Sequence, residues 1–148
     1  MNEYSQKIAL RWADLDPNYH VRHSVYYDWG ATIRTDVMNA KGLTLAVMQD
    51  QNFGPVLFRE ECVFKREIRF GDELTINYKA LKIRKDFARF SMIHEIAKTD
   101  GTLCATITVE GAWMDTNLRK LTTPPLIGQE MVEGLPKAAN FEWIEIPN

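Results

Sequence analysis

Four runs between Val56 and Trp113 are joined by turns too short for anything but antiparallel pairing, and most of them alternate apolar with polar side chains. Leu74, Ile76, Tyr78 and Ala80 alternate with Thr75, Asn77 and Lys79; Ala88, Phe90, Met92 and Ile96 alternate with Arg89, Ser91 and Glu95. Ile107, Val109, Gly111 and Trp113 alternate with Thr106, Thr108 and Glu110, while Val56 to Arg69 is longer and only partly alternating. Gly71-Asp72, Lys85-Asp86 and Asp100-Gly101 mark the turns, the last a strong hairpin signal. Parallel neighbours would need a crossover of about a dozen residues or more. A sheet built this way has an apolar face that something must cover.

The cover lies upstream. After a first strand candidate at Ser5 to Trp12, Asp14, Asp16, Pro17 and Asn18 form an acidic turn, where Asp or Asn can cap a following helix. From His23 the period changes. Val25, Trp29, Ile33 and Val37 fall four apart with Tyr26 and Ala40 beside them, which predicts a largely buried helix ending near Lys41-Gly42. Gly30 and Ala31 within it would let a sheet approach closely. Leu43 to Gln51 allows one or two further helical turns, Asn52-Phe53-Gly54-Pro55 breaks the chain, and Pro124-Pro125 opens a short helix that stops near Gly134. Phe141 and Trp143 in the tail are expected to dock on the body. One domain over residues 1–148 is predicted, with a short helix and tail from about 122 to 148.

Composition excludes more than it selects. At 148 residues, 45% hydrophobic and 26% charged with a net charge of −2, the chain is an ordinary globular one and not a general nucleic-acid binder. It carries no apolar segment long enough for a bilayer and no secretory signal, so no membrane association and a cytoplasmic location are expected. Cys62 and Cys104, both in apolar strand-like segments, read as buried reduced thiols. There is no Gly-x-Ser-x-Gly elbow, phosphate-binding Gly-Lys-Ser/Thr loop, His-Glu-x-x-His or Cys-x-x-Cys. His20 and His23 lack further ligands at convincing spacing, so no metal is expected.

A carboxylate in a turn just before a helix joins a base or nucleophile to backbone donors that can stabilise an anion. Asp16 is the candidate, although an Asx-turn or helix cap would use the same residue. Asp14 reads as structural, and so does His94, alone on a strand.

The motif Asp14-x-Asp16-x-x-x-His20-Val, with Tyr26 and Arg34 downstream and the Phe70-Gly71-Asp72-Glu73-Leu74 turn, resembles the 4-hydroxybenzoyl-CoA thioesterase family of the hotdog fold. The resemblance runs from about Ile8 to Pro125. It implies an α+β hotdog fold: a five-stranded antiparallel sheet wrapped around a central helix, assembled as a homodimer or homotetramer with active sites where subunits meet. It also implies hydrolysis of an acyl-CoA thioester without cofactor. Asp16 matches the family's base or nucleophile and the main-chain N–H of His23 its oxyanion donor, with His20 a lesser catalytic candidate. Tyr26, Trp29, Phe58 and Glu61 are candidates for the substrate pocket, and Lys65, Arg66, Arg69, Arg84, Lys85 and Arg89 for the phosphates of coenzyme A. Two departures stand out: Arg22-His23 replaces the relatives' Asn-Asn or Tyr-His, and Ala31 replaces a helix Glu. The second keeps a non-catalytic acyl-CoA sensor as the alternative. The hotdog hydratase motif, Asp-x-Asn-Pro-x-His, does not fit, since Asp14 to His20 has Asp for Asn and one extra residue.

Overall fold

The computed structural model describes residues 2–148. The strands are β1 (Ser5–Ile8), β2 (Phe53–Phe64), β3 (Leu74–Asn77), β4 (Lys79–Arg84), β5 (Arg89–Lys98), β6 (Leu103–Asp115), β7 (Lys120–Leu121) and β8 (Lys137–Ile144). The helices are α1 (Val25–Ala40), α2 (Leu45–Asp50) and α3 (Leu126–Glu133), with a 3-10 turn at Trp12–Asp14. All strands join one sheet. β2 pairs with β6, β6 with β5, and β5 with β3 and β4 end to end, every pair antiparallel. β1 lies outside β3 and β8 outside β4, so the sheet is five strands wide, as the alternation and the resemblance predict.

The helix inside this sheet is amphipathic rather than largely buried: of the predicted stripe Val25, Ile33 and Val37 are buried, Trp29 is half-buried and Ala40 is exposed. Val25, Tyr26, Gly30, Ile33 and Val37 of α1 are buried against Ile76, Ile96, Ile107 and Val109 of the strands. Gly30 is where the layers meet most closely: a β-carbon there would stand 3.2 Å from Arg34 Nη1 and 3.3 Å from His94 Cδ2. α1 ends as expected, with Gly42 in the left-handed region at φ 83°.

Three expectations are corrected. The first long strand runs from Phe53 to Phe64 and not from Val56 to Arg69. Pro55 is tolerated because β2 pairs only with β6 and leaves its other side unpaired. Beyond Phe64 the chain turns in: the Lys65 and Arg66 N–H groups both donate to the Cys104 carbonyl, and Ile68 enters the core. The tail does more than dock. It forms β8, parallel to β4, with Trp143 edge-on to both Phe87 and Phe141. Finally, α1 is not capped by an acidic side chain; Ser24 occupies the cap position, and its hydroxyl accepts from Arg22 Nη1 at 2.6 Å. Both cysteines are free thiols; Cys104 is buried as expected, but Cys62 is only half-buried.

Gly111 on β6 lies where β2 and the Phe90 ring approach too closely for a side chain. A β-carbon there would run into the Val56 carbonyl oxygen and come within 2.9 Å of the Phe90 ring, beside the bulge between Leu57 and Arg59. Gly111→Ala is therefore expected to cost about 1–3 kcal/mol, read as a lower urea midpoint with unchanged slope. An unshifted midpoint would show that β2 can move away freely.

Candidate active site at the start of the central helix

The loop before α1 is built around two aspartates with different tasks. Asp14 is 1% exposed and closed off: its Oδ1 accepts from Arg11 Nη2 at 2.7 Å and Nε at 3.1 Å, and its Oδ2 from the Arg11 N–H at 3.0 Å. Burial opposes its charge, yet the Arg11 guanidinium and N–H hold the carboxyl below the usual range. Asp16 is only partly enclosed. Its Oδ1 accepts the N–H groups of Asn18 at 2.8 Å and His20 at 3.2 Å. Its own N–H donates to the His20 carbonyl, and Tyr19 takes φ 63° so that the loop can close. Asp16 Oδ2 receives no hydrogen bond from the described residues. One oxygen shapes the loop and the other takes no part in it.

Asp16 opens onto a cavity of about 400 Å³ shared with His20, His23, Tyr26, Phe64, Lys65, Arg66, Glu67 and Ile68. Arg22 ties this loop to the helix start, donating through its N–H to the Asp14 carbonyl at 2.9 Å and through Nε to Ala13 O at 3.2 Å. Val25 N–H turns back to Arg22 O, whereas the His23 N–H meets no acceptor among the described residues. That N–H stands ahead of the first helical turn, where the helix dipole favours negative charge. Tyr26 packs edge-on against Phe64 at 4.9 Å between ring centres, and burial pushes its phenol up to about 12, so it stays a donor at neutral pH.

The other expected site residues lie elsewhere on the chain. Trp29 faces the seam between α1 and β1. Phe58 lies under Arg89, 5.3 Å from guanidinium to ring centre, in a second cavity that Arg84 also lines. Glu61 pairs with Arg59 on the exposed face of β2. The six basic residues read as one phosphate-binding face are divided. Arg69 is bound by Glu67, Arg84 by Asp86 and Lys85 by Glu145, while Lys65 and Arg66 reach the Asp16 cavity with no carboxylate partner among the described residues. Among the residues lining the cavity, sequence reasoning missed Phe64 and Glu67. Glu67 Oε2 lies 3.0 Å from His20 Nε2, a contact between distant segments with no local signature. Among the described residues no three His, Cys, Asp or Glu side chains cluster as metal ligands, and no helix is long and apolar enough to cross a membrane.

The sequence model of the Thioesterase-like superfamily matches residues 10–135, a span that contains this loop, α1 and the sheet from β2 to β7. The chain belongs to that superfamily. No curated protein matches the sequence of this superfamily member. Among solved structures it is similar to a Staphylococcus aureus protein in complex with CoA, at TM-score 0.82 and 17% identity over 92% of this chain and 87% of that one. A 1,4-dihydroxy-2-naphthoyl-CoA thioesterase from Synechocystis aligns at TM-score 0.78 and 18% identity over 89% and 96%. A DHNA-CoA thioesterase from Staphylococcus aureus aligns at TM-score 0.70 and 20% identity over 81% and 79%. The thioesterase-like chain has the hotdog fold that the sequence motifs imply, and α1 is its central helix.

Proposed function

We propose that the protein hydrolyses an acyl-CoA thioester to a free acid and coenzyme A. The observation that carries this reading is that Asp16 and His23 line one cavity at the start of α1, with Asp16 Oδ2 and the His23 N–H both unengaged by the described residues. A thioester carbonyl placed there meets a carboxylate able to take a proton from water, or to attack directly, and a donor for the oxyanion. Superfamily membership and likeness to acyl-CoA thioesterases and to a CoA complex support the same substrate class. Tyr26 and Phe64 would form the apolar wall and Lys65 and Arg66 the landing point for coenzyme A phosphates.

Homo-oligomerisation belongs to this reading. β2 is a twelve-residue edge strand with Phe58 56% and Phe64 53% exposed, and a second copy covering it would bury this apolar edge near the cavity. Equilibrium sedimentation is expected to give a dimer or tetramer.

Thiol release from short, long and aromatic acyl-CoAs tests the activity; binding of these esters without release would favour a sensor. Replacing Lys65 and Arg66 together by Ala is expected to raise KM for coenzyme A esters about tenfold, roughly one charge-assisted contact. KM for the matching N-acetylcysteamine ester, which lacks phosphates, should hold. Equal changes for both carriers would remove these two residues from carrier recognition.

A further inference from the structure

Glu67 has no part in the chemistry described so far, and its geometry is more constrained than a surface carboxylate needs. Residues 20–21 and 68–69 form a short antiparallel ribbon: His20 bridges to Arg69, and the Val21 N–H donates to Ile68 O at 2.9 Å. On that ribbon Glu67 divides its two oxygens. Oε1 accepts from Arg69 Nη2 at 2.7 Å and Nε at 3.1 Å, and Oε2 meets His20 Nε2 at 3.0 Å. Arg69 is fixed in turn, since its N–H donates to Asp72 Oδ2 at 2.8 Å. On the other side, Asp16 Oδ1 accepts the His20 N–H.

Exposed ion pairs of this kind contribute little stability. What this one supplies is orientation. A carboxylate oxygen only accepts, so a hydrogen sits on His20 Nε2, and Nδ1 is the ring nitrogen left without a partner among the described residues, on a side chain that lines the cavity. The charged and titratable groups facing His20 are Asp16 from its own loop, Glu67 and Arg69 from the ribbon, and His23, Lys65 and Arg66 around the cavity.

We infer that His20, positioned by Glu67, delivers a proton to the sulfur of the departing thiol; this rests on the thioester-hydrolase reading above. Water adds to the thioester carbonyl as Asp16 takes its proton, giving the tetrahedral oxyanion. On collapse the carbon–oxygen double bond re-forms and the carbon–sulfur bond breaks, its electron pair leaving on sulfur. Nδ1–H of the His20 imidazolium protonates that sulfur. The proton held by Asp16 then returns to His20, and the product acid ionises to solvent. Glu67 touches no reacting atom; it is a positioning residue.

The test compares two thioesters of one acyl group in the intact protein: the coenzyme A ester, whose alkyl thiolate needs a proton to leave well, and the 4-nitrothiophenyl ester, whose thiolate does not. His20→Gln is expected to lower kcat on the coenzyme A ester about a hundredfold and Glu67→Gln about tenfold, with both losses shrinking to within about threefold on the nitrothiophenyl ester. Adding Glu67→Gln to His20→Gln should cost nothing more, because the carboxylate acts through the ring. Loss of folded protein lowers both esters alike and cancels in their ratio. Equal losses on both esters, or a full additional loss in the double variant, would overturn the dyad while leaving Asp16 in place. A wild type that hydrolyses neither ester would overturn the hydrolase reading and the dyad with it.

Discussion

Replacing Asp16 by Asn is expected to lower kcat/KM for acyl-CoA hydrolysis by at least about a hundredfold and to leave the fold intact. The substitution is discriminating because the two oxygens of Asp16 sit in different settings. Its Oδ1 anchors the loop through the Asn18 and His20 N–H groups, and an Asn carbonyl can accept the same two bonds. The second oxygen, which receives no hydrogen bond from the described residues, becomes an amide nitrogen that can neither take a proton from water nor attack a carbonyl. Ala at this position would remove the anchor and the chemistry together and could not separate them. The expected loss is the usual range for a positioned base, with KM for the ester little changed. Thiol release measured beside circular dichroism and a thermal midpoint checks it. Turnover that survives the substitution would remove Asp16 from the chemistry.

Acid should destabilise the protein well before most carboxylates titrate. His94 on β5 is 0% exposed and held in a neutral tautomer: Nε2 accepts from Arg34 Nη1 at 2.9 Å, and Nδ1–H donates to Asn77 O at 2.8 Å. Burial, reinforced by the Arg34 charge and opposed by the Asn77 bond, pushes its pKa down from 6.5 to about 3. Below pH 6.5 the unfolded chain takes up this proton and the folded one does not. The stabilisation is therefore complete above 6.5 and is lost progressively as the pH falls towards about 3, at about 1.4 kcal/mol per pH unit. Urea midpoints at pH 7, 6 and 5 should fall accordingly. His94→Gln, which can keep an acceptor for Arg34 and a donor for Asn77, should be less stable at pH 7 but nearly flat over this interval. Asp14 and Asp86, held low beside Arg11 and Arg84, contribute their own losses only at lower pH. A wild-type midpoint independent of pH from 7 to 5 would show that His94 is protonated without unfolding.

The parts of the fold that were legible in the sequence are those whose information is local. Alternation at Leu74–Ala80 and Ile107–Trp113, and the left-handed glycines at Gly71 and Gly101, identify strands and turns without reference to the rest of the chain. The buried stripe of α1 reads the same way. β8 was not legible, because a parallel strand reached through α3 leaves no turn signature. The start of β2 was hidden by Pro55, which reads as a break unless the strand is known to be an edge. The site divides along the same line. Asp16 and the helix start are neighbours in sequence and could be paired on paper, whereas Glu67 meets His20 only through the ribbon at Ile68. The basic residues misled for a related reason: Arg84 and Arg69 each have an acid two residues away and Lys85 has Glu145 just past β8, and charge counting cannot see who is already paired.

The two margins of the sheet are unequal. One is finished by the chain itself: β1 is four residues long, and β8 follows β4 with a broken register and carries Lys137 and Glu142. Such margins offer a poor template for a further strand. The other, β2, is twelve residues long. In strand addition the molecule is thus monovalent: pairing two copies edge to edge uses up the one good margin of each, and nothing remains from which an open-ended stack could grow.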